Sequence, residues 1–191
     1  MKKLLFIAIL LFSICFTMKA QEAGQKWIGG GISFSTDKQR HADRANNFTF
    51  IPEIGYQLSE RWGIGVSLGY KHQEHISRDI SGPYKTIYNG FEVNPFARYT
   101  FFKKDIISLF ADGGVGYSHL KATDGYYSDY RLSVGIRPGI ALDISENIRF
   151  TSKIGFFGYQ NINSDSYADK IDSFKFDLNM SQVLFGVNVI F

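Results

Sequence analysis

From Trp27 to the last residue the chain alternates apolar and polar positions with a period of two, and no stretch keeps an apolar face at helical spacing. Phe48, Phe50, Ile54, Tyr56 and Leu58 share one face, as do Trp62, Ile64, Val66, Leu68 and Tyr70, and later Leu132, Val134, Ile136, Ile140 and Leu142. The opposite face carries glycine, serine and charge: Gly29, Gly31, Gly63, Gly65 and Ser67, with Glu53, Lys71, Glu92, Arg98, Asp112, Arg131, Arg137 and Lys153. The pattern predicts eight strands, at residues 27–36, 47–58, 61–72, 86–101, 106–118, 130–144, 148–159 and 174–191. The eighth changes parity. Phe174, Phe176, Leu178 and Met180 are even, whereas Val183, Phe185, Val187, Val189 and Phe191 are odd, which predicts a bulge near Ser181 or a distal part that faces differently.

Alternation alone does not say which face is inside, but the connections do. Residues 37–46, 73–85, 119–129 and 160–173 are long and polar, whereas "SER" at 59, "FKKD" at 102 and "SEN" at 145 are tight. Short turns on one rim and long loops on the other are the pattern of a transmembrane barrel, with the long loops outside the cell. The distance from Trp62 to Tyr70 is roughly 26 Å along a strand, or on the order of 20 Å after a tilt of about 40°. That span matches an apolar band, with Tyr56, Trp62, Tyr70, Tyr99 and Tyr117 as its aromatic girdle. The small and charged face suits the lumen of a narrow eight-stranded barrel, which side chains fill without leaving a channel. A soluble lipocalin-like barrel would invert the faces. It would bury Glu53, Arg98, Asp112 and Arg137 or show a belt of Phe, Trp and Tyr to water, and "GQKW" misses the lipocalin Gly-x-Trp spacing by one residue.

A repeat supports the strand count. "PEIGYQL", "PFARYTF" and "PGIALDI" open at Pro52, Pro95 and Pro138, 43 residues apart, and the next interval reaches Ser181 of "SQVLFGV". One strand pair therefore takes 43 residues, as expected of a closed antiparallel sheet of hairpins. Proline inside a paired strand removes a ladder hydrogen bond, so a bulge or local distortion is expected beside each one.

The N-terminus changes the compartment and the charge. "MKKLLFIAILLFSICFTMKAQ" has Lys2 and Lys3, an apolar run from Leu4 to Phe16 and the small residue Ala20, the layout of a cleavable secretory signal over residues 1–20. The apolar run is too short for a spanning helix, and Ile14 stands where lipoprotein processing at Cys15 would want a small residue. Loss of Lys2, Lys3 and Lys19 lowers the 21 basic residues to 18, equal to the 18 acidic ones, so the formal +3 belongs to the signal and no nucleic-acid partner is implied. The single cysteine, Cys15, leaves as well, and with it any disulfide or thiol chemistry. Residues 21–191 form one barrel domain.

Candidate chemistry is sparse. His41, His72, His75 and His119 lie at or near the long loops without metal-ligand spacing, and Asp165, Asp169 and Asp172 lack the spacing and glycine of a calcium loop. No metal site, cofactor or catalytic residue is assigned. Lys38, Arg40 and Arg44 of the first loop could touch lipopolysaccharide phosphates or be simply solvated. Tyr126, Tyr127 and Tyr130 of the third suit a contact surface or a rim girdle equally. His75 and Ser77 resemble the His-x-Ser pair of outer-membrane lipid A deacylases, but Arg78 replaces the asparagine expected next and the pair falls in a loop.

The terminal "VLFGVNVIF" resembles the C-terminal signal of bacterial outer-membrane barrels, an aromatic last residue preceded by apolar residues at alternate positions, here Val183, Phe185, Val187, Val189 and Phe191. With the N-terminal signal and the loop asymmetry, the chain is similar to the small OmpX/OmpA-type barrels of the porin-like outer-membrane family. The resemblance implies delivery to the barrel-assembly machinery, closure of the last strand on the first, and a monomer set in outer-membrane lipid and lipopolysaccharide, with short turns and C-terminus periplasmic. The expectation is an all-β, up-and-down transmembrane barrel that is not an enzyme. Its role would be structural or a surface interaction through the long loops with an unknown ligand. A narrow channel for small or apolar solutes, as in OmpW-type barrels, is the alternative, and a lipid A-modifying enzyme the third reading. The lumen charges are expected to form a dry plug with nearly complete pairing, in which Arg98 and Arg137 bridge Glu53, Glu92 or Asp112. Deleting Phe191, or replacing it by a charged residue, should slow membrane insertion; normal yield and unchanged heat-modifiable migration on cold gels would contradict this.

Overall fold

The computed structural model describes residues 23–38, 44–79, 82–123, 128–164, 171–177 and 183–191. Ten segments make one antiparallel sheet: β1 (Lys26–Lys38), β2 (Arg44–Gln57), β3 (Trp62–Asp79), β4 (Gly82–Lys104), β5 (Ile107–Ala122), β6 (Ser128–Asp143), β7 (Ile148–Lys153), β8 (Phe156–Ser164), β9 (Ile171–Asp177) and β10 (Leu184–Ile190). Each of β1 to β5 pairs with the next in sequence, and β5 pairs with β6. β7 and β8 both pair with β6 and are two parts of a seventh barrel strand; β9 pairs with β8 and β10 with β7, as two parts of an eighth. The barrel closes where β10 pairs with β1, from Trp27 opposite Ile190 to Ile32 opposite Phe185. Lys26 and Phe191 exchange both backbone hydrogen bonds, at 2.8 and 3.0 Å, so the last residue of the chain lies in the ladder.

The outward face is apolar. Ile32, Ile54, Leu68, Val134, Phe185 and Val187 are each about half exposed or more on a bare barrel, while Glu53, Ser67, Glu92, Arg98, Asp112 and Asn188 are buried inside. A continuous outer belt of this kind is what lipid, rather than water, accepts. Trp62 packs on Tyr99 at 4.7 Å near the short-turn end, where Tyr56 also lies; Tyr70 faces Phe91 across the ladder, and Phe91 lies 6.2 Å from Tyr117, towards the other end.

Strands run further at the long-connection end than the alternation suggests. β3 and β4 stay paired to Asp79 opposite Gly82, through the stretch read from sequence as a loop at 73–85. "HQEHISRD" and "GPYKTIYN" are polar on both faces and so give no two-environment signal, yet beyond the apolar slab the backbone ladder needs none. His75 and Ser77 are therefore strand residues: His75 pairs with Thr86 and its ring meets Tyr88 edge-on at 5.7 Å. Tyr130 is likewise in β6, stacked on His119 at 4.5 Å, and Asp172 is in β9. His41, Arg40, Tyr126, Tyr127, Asp165 and Asp169 lie outside the described residues, as do the proposed signal and Ser181.

Each of the three repeat prolines disturbs the ladder locally, but only one has a register shift beside it. At Pro52 the β2–β3 ladder is interrupted between Phe50–Tyr70 and Glu53–Ser67 and resumes in the same register, and Pro95 interrupts β4–β5 in the same way. The missing N–H costs a bond without shifting the strand. At Pro138 the neighbouring strand does shift, between β7 and β8: Ile154 donates to the Pro138 carbonyl at 3.0 Å, and Gly155 adopts φ 71°. The parity change of the last strand falls between β9, where Phe174 and Phe176 face outward, and β10, where Phe185, Val187 and Val189 do.

Ile54 pairs with Val66, midway between the levels of Trp62 and Tyr70. Ile54→Arg should cost about 2–4 kcal/mol, and Tyr70→Arg about 0–1. Equilibrium unfolding from lipid vesicles checks this; equal costs would mean that the depths are misassigned.

Candidate functional site in the barrel lumen

Inward parity sets which side chains meet on the axis. Near the short-turn end these are Trp27 of β1, Glu53 of β2, Phe96 and Arg98 of β4, Phe110 and Asp112 of β5, Lys153 of β7 and Asn188 of β10. The Trp27 indole lies over Gly55 and Gly63; a Cβ at Gly55 would fall 2.0 Å from the ring, so glycine there is what admits the tryptophan.

Arg98 is the centre of the cluster. Its Nε donates to Asp112 Oδ1 at 2.7 Å and its Nη2 to Asp112 Oδ2 at 2.9 Å and Glu53 Oε1 at 3.3 Å. Lys153 Nζ bridges the same two carboxylates, at 2.6 Å from Glu53 Oε2 and 2.9 Å from Asp112 Oδ2. Glu53 Oε1 also accepts from the Trp27 indole at 3.2 Å and from Asn188 Nδ2 at 3.1 Å. The Arg98 guanidinium lies over Phe110 at 4.3 Å and within 5.3 Å of the Trp27 and Phe96 rings. Two acids and two bases, each less than a tenth exposed, thus form a neutral group walled by aromatic rings. Burying any one of these charges without its partners would be costly, whereas the set is closely bonded.

Above this group the lumen opens. A cavity of about 420 Å³ is lined by Ser33, Asn47, Thr49, Lys71, Gln73, Glu92, Arg131, Arg137, Lys153, Gln160 and Lys175, among others. Lys71 pairs with Glu92 at 2.5 Å. Arg131 and Arg137 have no carboxylate within ion-pair distance among the described residues. Arg137 was expected to bridge acids across the axis. It faces Asp112 in the β5–β6 ladder, but both Asp112 oxygens are taken by Arg98 and Lys153, and the guanidinium lies 5.8 Å from the Phe156 ring instead. The plug is thus confined to the lower lumen, and pairing is incomplete above it. Small inward side chains such as Ser33 and Thr49 leave the upper volume open, whereas Trp27, Phe96 and Phe110 fill the lower one.

The eight lumen charges read from sequence therefore divide into a four-residue plug (Glu53, Arg98, Asp112, Lys153) and an upper group (Lys71, Glu92, Arg131, Arg137). Trp27, Phe96, Phe110 and Asn188 were not foreseen. Parity could have found them: Trp27 shares it with Gly29 and Gly31, Phe96 with Arg98, Phe110 with Asp112, and Asn188 with Gly186. Among the described residues no group of three or more His, Cys, Asp or Glu side chains is placed to hold a metal ion.

The sequence pattern of the family described as "Outer membrane protein beta-barrel domain" matches residues 5–191. No curated protein sequence matches the chain. Among solved structures, the outer membrane protein OprG from Pseudomonas aeruginosa superposes with a TM-score of 0.57 at 14% identity, covering 90% of this chain and 98% of that one. Neisserial surface protein A (NspA) gives 0.54 at 11% identity, covering 87% and 98%. At these identities the likeness is one of fold.

Arg98→Ala would leave Asp112 and Glu53 to share the single cation Lys153 and should destabilise the barrel by about 3–5 kcal/mol. Trp27→Phe, which removes one donor from Glu53, should cost about 1–3 kcal/mol. Urea unfolding of the barrel in lipid vesicles measures both; a loss under about 1 kcal/mol for Arg98→Ala would mean that the group is not held dry.

Proposed function

Because the chain belongs to the outer membrane protein β-barrel family, we propose that it is a non-conducting, non-enzymatic envelope protein acting through its long connections. The observation that carries this reading is the neutral Glu53–Arg98–Asp112–Lys153 group, which with Trp27, Phe96 and Phe110 links β1, β2, β4, β5 and β7 across the lower lumen. A hydrated ion or solute would have to separate four mutually bonded charges to pass.

In this reading residues 1–20 are removed on export, the long connections face outside the cell, and the short turns and Phe191 face the periplasm. Val183, Phe185, Val187, Val189 and Phe191 present the assembly signal, and Tyr56, Trp62, Tyr70, Tyr99 and Tyr117 sit at the two interfaces with lipid and lipopolysaccharide. Pairing of β10 with β1 leaves no free edge in the lower barrel, which supports a monomer. A narrow channel is the second reading, and the open upper lumen favours it.

Planar-bilayer recording separates the two. The wild-type barrel should show no steady ohmic conductance, and Arg98→Ala together with Lys153→Ala should raise the frequency of opening if the protein still folds. Steady conductance of the wild type would overturn the plugged reading.

A further inference from the structure

The upper lumen is a cationic cup. Lys71, Arg131, Arg137, Lys153 and Lys175 line the 420 Å³ cavity, and Glu92 is the one carboxylate among its described lining residues. Lys71 is paired with Glu92, and Lys153 with Glu53 and Asp112. Arg131, Arg137 and Lys175 are left with no carboxylate within ion-pair distance among the described residues. The described residues therefore gather positive charge on the inner wall of a narrow cylinder without pairing all of it. Such charge is expensive in a partly dehydrated, low-dielectric space, and a bound anion offsets the cost.

Two further features point to the ligand's chemistry. The Arg131 Nε is buried with no acceptor among the described residues, and the planar guanidinium to which it belongs matches the oxygens of a tetrahedral oxyanion. Glu92, in the same lining, has its Oε1 buried with no donor among the described residues. A carboxylate oxygen beside an anion site accepts from a protonated ligand oxygen and repels an unprotonated one. Inorganic phosphate carries such a P–OH at neutral pH and sulfate does not; a phosphomonoester, with a second pKa of about 6, carries one only as its monoanion.

We propose that this cavity binds a small phosphate-bearing solute, with Arg131, Arg137 and Lys175 meeting its anionic oxygens and Glu92 Oε1 accepting its P–OH. The site faces the lumen and lies above the Arg98 group, so it does not depend on whether the barrel conducts. Its lining is inward-facing, which favours a soluble phosphate over a lipid headgroup reaching it from the outer wall. The potential inside a narrow cup lined mostly by one sign of charge also concentrates anions at its mouth.

The test uses the full protein purified from outer membranes in detergent, titrated with inorganic phosphate by calorimetry and followed by NMR of the arginine Nε–H groups. Saturable binding that perturbs the Arg131 Nε–H is expected, weakened roughly tenfold or more by either Arg131→Gln or Arg137→Gln, as for loss of a charge-assisted hydrogen bond. Heat-modifiable migration verifies that these variants fold. Arg149→Gln, which removes a positive charge from the Arg149–Asp143 pair at the short-turn end, should leave binding unchanged. Sulfate should bind at least about tenfold more weakly than phosphate. Absence of saturable binding, or binding indifferent to both Arg131 and Arg137, would overturn the site. Equal affinity for sulfate would overturn the role of Glu92. Loss of phosphate binding in phosphatidylglycerol vesicles but not in phosphatidylcholine vesicles would overturn the soluble source in favour of an anionic lipid.

Discussion

Inside a bilayer an unpaired backbone N–H or C=O has no water to turn to, so a sheet can cross only if every edge is closed on another strand. That constraint governs the whole molecule. It places the terminal residue Phe191 in the ladder opposite Lys26, with both backbone bonds made, and it ties β1 to β10 although they are the most distant strands in sequence. It also limits how far a proline can disturb its strand: Pro52 and Pro95 each cost a rung and leave the register intact, while the shift beside Pro138 is absorbed by Ile154 and Gly155.

Closure of eight strands then fixes a narrow interior, and the interior inherits whatever the inward parity supplies. In the lower half that is three large rings and four charges of balanced sign, which satisfy one another around Arg98. In the upper half short polar residues such as Ser33, Asn47 and Thr49 leave room between longer ones, and the charges there are mostly positive. One cylinder thus holds two electrostatic environments: a neutral, bonded plug and a cationic cup open above it. The likeness to OprG and NspA, at 14% and 11% identity, is one of barrel fold.

Much of this was legible from period-two patterning. The eight strands, the lipid-facing side and the inward placement of Glu53, Lys71, Glu92, Arg98, Asp112, Arg131, Arg137 and Lys153 all follow from which residues share parity. The polar extensions of β3 and β4 were not legible, because a strand wet on both faces has no alternation to display. Trp27, Phe96 and Phe110 were missed for a related reason. An aromatic residue in an outer-membrane strand is expected to face lipid, and only its parity relative to glycine or charge says otherwise.

The sequence by itself determined the kind of object and the list of groups on its inner wall, since both depend on local alternation and on the asymmetry of the connections. Only the tertiary structure decided which of those groups meet. Arg98 and Arg137 look alike in sequence, each an arginine of inward parity beside a repeat proline, three residues after Pro95 and one before Pro138. Yet Arg98 holds two carboxylates while Arg137 lies by Phe156. The difference comes from strands far apart in the chain: Glu53, Asp112, Lys153 and Asn188 reach one point on the axis through the register of β2, β5, β7 and β10 around the closed barrel. Contact across a lumen depends on that global register, and no local pattern encodes it.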